Sequence, residues 1–126
     1  MILLGAFLGA GLLGAAAAEP PSPDLARLQE ARNVGLAALE EGDLPEAQKR
    51  FEAVRRLAPQ DPLGWADGAV AALRAKDAAS AAKLMGEALR LAPSDARVAA
   101  LEGVRREQAN DVSGALRFYD EAVRLE

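Results

Sequence analysis

One interval constrains this chain more than any other feature. Pro59 and Pro93 both close an apolar helical run, and 93 − 59 is 34. The same step links Asp43, Asp77 and Asp111, then Ala47, Ala81 and Ala115. Phe51, Met85 and Tyr119 form a third column, and Gly35, Ala69 and Gly103 a fourth. Each period holds two stretches with apolar residues at i, i+3 and i+4, separated by a turn at the Asp. A fixed period of this length with two helical stretches is the signature of a helix-turn-helix solenoid.

The columns also resemble those of a known family, the tetratricopeptide repeat. In that pattern the first helix carries Trp, Gly and Tyr, and the second carries Ala, an aromatic, Ala and a closing Pro. Trp65, Ala69, Ala81, Ala88 and Pro93 occupy these positions in the middle repeat; Gly35, Ala47, Phe51 and Pro59 do so in the first; Gly103, Ala115, Tyr119 and Ala122 in the third. The departures are Ala38, Ala72 and Arg106 in place of Tyr, Met85 in place of an aromatic, and Val54 in place of the later Ala. The resemblance implies an all-α protein, a right-handed α-solenoid of three repeats at about 28–61, 62–95 and 96–126, within a domain over 24–126.

Helix starts are legible from local chemistry. Ser22, Pro23 and Asp24 give a cap, a first-turn proline and an acid at the helix N-terminus. The first helix is expected to run to about Glu41, with Gly42 ending it. Asp43 with Glu46 has capping-box spacing, and Asp61-Pro62, Asp77, Asp95 and Asp111 start the later helices. These aspartates therefore read as caps, not as acid-base catalysts. Trp65 reads as core, and Arg55-Arg56 and Arg105-Arg106 as solvated faces.

Ahead of the repeats, residues 1–18 contain no charged side chain. As a helix they would span roughly 27 Å, just short of a hydrocarbon core of ~30 Å. Residues 19–23 form a proline-broken linker. Ala16-Ala17-Ala18 supplies the small residues that signal peptidase needs, while no Lys or Arg stands near the start. A cleaved signal peptide and a retained membrane anchor both fit; an apolar helix packed on the solenoid is the alternative. Gly5 and Gly9 match a membrane-helix pairing motif. Gly9, Gly11 and Gly14 match G-x-G-x-x-G, but the βαβ context required for dinucleotide binding is missing. With the family resemblance, the expected location is a bacterial cell envelope, periplasmic or anchored in the inner membrane, or secretion.

Composition narrows the chemistry. The chain has no Cys and no His, so thiol nucleophiles, imidazole bases and the usual metal sites are not available to it. No cofactor is expected, and no enzyme, since no polar constellation converges. A net charge of −4 without a basic stripe argues against nucleic acid.

By the resemblance, function lies in a concave groove lined by the first helix of each repeat. The implied lining is Gln29, Arg32, Leu36, Leu39 and Glu40, then Leu63, Ala66, Val70, Leu73 and Arg74, then Arg97, Ala100, Val104, Glu107 and Gln108. That is an apolar centre with arginines around it, suited to a peptide or helix with aliphatic anchors. Affinities of this type are on the order of micromolar, about −8 kcal/mol. Relatives that hold a C-terminal carboxylate use a Lys-Asn-Asn-Lys-Arg clamp. Here Arg32, Leu36, Asp67, Arg97 and Leu101 stand at those positions, and the set is unsuited to that ligand. Small anchored members in bacteria often assist assembly of envelope machines, and a comparable role is the expectation here.

The last helix is the other informative stretch. Leu116, Phe118 and Val123 replace Gln48, Arg50 and Arg55 of the first repeat. Burying three such side chains contributes roughly 5–8 kcal/mol. This edge is expected to be covered by a second copy in a homodimer, by a partner, or by residues missing from a truncated sequence. A structural, self-associating element is accordingly the alternative function.

Overall fold

The computed structural model describes residues 22–126. The signal or anchor segment, the linker and the glycine motifs of residues 1–18 lie outside the described residues, apart from the end of the linker. Six helices follow in order: α1 Pro23–Glu41, α2 Leu44–Leu57, α3 Pro62–Arg74, α4 Ala78–Leu91, α5 Ala96–Gln108 and α6 Val112–Leu125. Among the described residues there is no strand, and no helix is long and apolar enough to cross a membrane.

Every helix begins where a side-chain acceptor stands. Ser22 accepts from the Leu25 N–H at 3.2 Å. Asp43, Asp77 and Asp111 each accept from the N–H three residues on, at 3.3, 3.1 and 3.0 Å. Asp61 and Asp95 reach the N–H two residues on, at 2.9 and 2.8 Å, from an extended backbone, and Asp95 also accepts from the Val98 N–H at 3.1 Å. The cap geometry thus alternates with the same period as the sequence. Only half of the capping box forms at α2: the Glu46 carboxylate turns to Arg50, 2.7 Å away, and the Asp43 N–H donates to the Ala38 carbonyl.

The tight turns inside the pairs share one backbone device. Gly42, Lys76 and Asn110, 34 residues apart, have φ of 81°, 63° and 64°. The left-handed residue sends the next N–H back to a carbonyl near the end of the first helix, as in Asp77 N to Ala72 O at 2.9 Å. Consecutive helices therefore fold back on each other, and α1 packs on α2, α3 on α4 and α5 on α6. α2 meets α3 and α4 meets α5, so that the pairs stack.

The core sits inside the pairs and at these junctions. One cluster joins Ala38, Leu39, Ala47, Phe51 and Ala71; a second joins Ala66, Ala69, Met85, Ala88 and Val98. Alanine and glycine dominate because the helices cross closely. A Cβ on Gly35 would lie 2.7 Å from Phe51 Cε1, and one on Gly103 would lie 2.6 Å from Tyr119 Cε1. Where the flexible Met85 replaces the ring, Ala69 is accommodated and fully buried. Leu25, in the first turn of α1, is 44% exposed.

Candidate functional site

The first helices of the three pairs, α1, α3 and α5, lie side by side, with α3 touching both of the others. Three aliphatic residues one period apart, Leu36, Val70 and Val104, stand at equivalent positions on them. Leu36 is 41% exposed, and Val70 and Val104 are half-buried. This row is the apolar centre of the face.

Next to the row, the helix ends form two depressions related by the same period. One, of about 480 Å³, is lined by Asn33, Leu36, Ala37, Leu39, Glu40 and Arg74. The other, of about 300 Å³, is lined by Leu73, Lys76, Ala78, Arg105, Gln108 and Ala109. Leu39 and Arg74 of the first correspond to Leu73 and Gln108 of the second. Arg74 Nη1 donates to the Leu39 carbonyl at 2.9 Å, so this guanidinium satisfies a C-terminal carbonyl of α1 from the neighbouring pair.

On the opposite side of the row the face is charged. Arg32 Nη2 donates to Asp61 Oδ2 at 2.8 Å, while Arg32 Nε is buried with no partner. Burial pushes the Asp61 carboxyl up, but the Leu63 N–H and Arg32 together outweigh it and hold it below the usual range. Asp67 goes the other way. Burial raises it, against the pull of Arg32 and Arg97. Leu63 is half-buried beside this group. Arg97 is exposed and makes no ion pair among the described residues.

The structure thus divides the residues that the sequence nominates. Leu36, Val70 and Val104 form the open row, and Arg97 projects at its margin. Leu39 and Leu73 are buried, each at 8% exposure, and serve as floor rather than as reachable anchors. Arg32 and Arg74 are tied to the neighbouring pair. Asn33, Ala37 and Lys76 line the depressions without having been singled out. Their only signal is a position beside the row. Among the described residues no group of acidic side chains is gathered to hold a metal ion.

Several arginines read as solvated faces are structural. Arg55 enters the α2–α3 junction, where Nη1 donates to the Gly64 carbonyl at 3.3 Å and the guanidinium lies 5.5 Å from the Trp65 ring centre. Burial lowers its pKa. Trp65 itself is half-buried at this junction and donates through Nε1 to the Pro59 carbonyl at 3.0 Å. Arg105 and Arg106 both bond the buried Glu102 at 2.8 Å, and Arg106 also bonds Asp111 at 2.9 Å.

At the far end, Leu116 and Val123 are 57% and 71% exposed. Phe118 is set apart from them. It is half-buried, with the Arg106 guanidinium 5.0 Å above its ring.

Stacked helix pairs that repeat every 34 residues, the second helix of each meeting the first helix of the next, define an α-solenoid. A model of the tetratricopeptide repeat matches residues 38–104, more than half of the chain. The chain belongs to the tetratricopeptide repeat family. No curated protein matches it in sequence. Among solved structures it is similar to the TPR2B domain of yeast Sti1 in complex with pHsp70, at 22% identity and a TM-score of 0.73, covering 79% of this chain and 80% of that one. It is similar to the first TPR of Spaghetti (RPAP3) bound to the HSP90 peptide SRMEEVD, at 21% identity and a TM-score of 0.73, covering 80% of each. The globular C-terminal domain of P. aeruginosa LpoP is also similar, at 28% identity and a TM-score of 0.65, with 82% and 98% covered.

Proposed function

We propose that the protein is an interaction scaffold of three repeats, one per helix pair, that binds a peptide or helix of another protein along α1, α3 and α5. The observation that carries this reading is the row Leu36, Val70 and Val104, an aliphatic track crossing all three helices. The peptide-bound relatives support the mode of binding, though not their ligand. Arg32 is already held by Asp61, Leu36 and Leu101 offer no donor, and Asp67 would repel a carboxylate. A ligand anchored by aliphatic side chains, with an acidic group reaching Arg97, suits the face better than an acidic tail. The role is one of binding rather than catalysis.

The apolar residues 1–18 of the sequence support a location at a bacterial cell envelope, exported or anchored, and there a part in assembling an envelope complex. A photo-reactive side chain replacing Leu36 in the full chain should crosslink one specific protein in envelope extract. Val104→Asp should abolish that product while circular dichroism stays unchanged. A crosslinking pattern indifferent to Val104→Asp would remove the basis for the groove.

A further inference from the structure

The junctions between pairs repeat like the rest of the chain, and they match by size. At the first junction Val54 of α2 faces Gly64 of α3, where an added Cβ would lie 2.8 Å from Val54 Cγ1. One period on, Ala88 replaces Val54 and Val98 replaces Gly64. The bulk has crossed the interface, and both residues pack in one cluster. Beside them Arg55 fills the first junction over Gly64 and Gly68, and its counterpart Leu89 packs on the second cluster.

On α6 the counterparts are Ala122 and Val123. Here the face is open. Val112, Leu116 and Val123, spaced i, i+4 and i+11, are 64%, 57% and 71% exposed. On α2 and α4 the first helix of the next pair covers the position of Val123, held there by the half-buried Arg55 and Leu89, whereas the α4 counterparts of Val112 and Leu116, Ala78 and Ala82, stay exposed. Such a helix meets the junction with the positions of Gly64, Gly68 and Ala71. Those positions on α1 are Glu30, Val34 and Ala37, of which Glu30 and Ala37 are exposed and Val34 is half-buried. The sizes again complement. Against such a helix, small Ala122 would leave room for the Glu30 stem where Val54 forced a glycine, and Val123 would meet Val34 where Arg55 meets Gly68.

We propose that the open face of α6 in one copy of this chain receives α1 of a second copy, so that copies join head to tail and continue the stack. The contact uses two different surfaces, so it does not stop at a dimer.

The test is the mass of the full chain in mild detergent, measured by sedimentation across a range of concentrations. The wild type should grow past a dimer as concentration rises. Val123→Glu and Val34→Arg should each remain monomeric, with helical circular dichroism retained. Mixing the two variants should give a 1:1 pair and nothing larger, because one keeps an intact α1 face and the other an intact α6 face. The proposal is overturned if the wild type stays monomeric, as when another segment or protein occupies α6. It is overturned equally if Val34→Arg still dimerises, which would mean α6 pairing with α6, or if the two variants fail to pair.

Discussion

At the scale of single residues, the most informative column is the one where helix crossings meet rings. Gly35 lies against Phe51, Gly103 against Tyr119, and Ala69 against Met85. A methyl group is tolerated only where the partner can bend. Gly35→Ala gains helix propensity of about 1 kcal/mol but must displace a fully buried ring, at a cost of about 1–3 kcal/mol. Net destabilisation is expected in urea titration. In the Gly35→Ala/Phe51→Met double variant the penalty should largely vanish, giving a coupling of about 1 kcal/mol. Additive effects would refute the size matching. Asp67 offers a second test at this scale. Burial raises its pKa, so between its unfolded and folded values the folded chain holds the extra proton. Stability contributed there falls as pH rises through that interval and stays at its lower value above it. Asp67→Asn should therefore raise the melting temperature modestly at pH 7, and the gain should shrink as pH drops toward the usual carboxylate range. A gain that is constant with pH would mean the charge is not its source. This carboxylate was visible in the sequence as a misfit to the clamp, but its burial was not, because it depends on how α1, α3 and α5 converge.

Elements show where sequence legibility ends. Helix boundaries were readable because caps and left-handed turn residues act within a few positions: Ser22, Gly42 and the five aspartates mark the ends that the structure shows. The faces were harder to read. Helical periodicity gives the side of a helix that meets its own partner, whereas the side that meets the next pair depends on the twist of the stack. Arg55 and Leu39 were misjudged for that reason, one bonding Gly64 and the other clustering with Ala71 of the next pair; Leu73, Arg105 and Arg106 are instead held within their own pairs. Glu102 had a weak signal: it is the one charge in the column Val34, Gly68 and Glu102, with arginines three and four residues on. Arg55 and Leu89 occupy equivalent junction positions, one desolvated and polar, the other apolar. Replacing a partly buried guanidinium with a well-packed aliphatic is often neutral or favourable. Arg55→Leu should thus change stability by no more than about 1 kcal/mol in either direction, even though a cation–π contact is lost. A loss well beyond that in thermal melts would show that the Trp65 and Gly64 contacts hold the α2–α3 junction.

For the whole molecule, a stack in which each pair touches only its neighbours has stability that adds along one dimension, pair by pair and junction by junction. The two junctions are unequal. α2 meets α3 over an extended contact, reinforced across the stack by Arg32 to Asp61 and by Arg74 to the Leu39 carbonyl. α4 meets α5 over a smaller contact, and the polar bonds of Arg105 and Arg106 stay within the last pair. α5 and α6 are by contrast packed closely on each other. The last pair should therefore open as one unit while the first two pairs stay folded. Native-state hydrogen exchange is the measurement. Amides of α5 and α6 should share a single opening free energy, with protection about tenfold or more below that of α3 and α4. The measurement belongs at low concentration, where self-association through α6 is absent. At high concentration the head-to-tail contact would raise the protection of α6 by mass action. Uniform protection across all six helices at low concentration would instead mean that the α4–α5 junction couples the pairs as firmly as the first does.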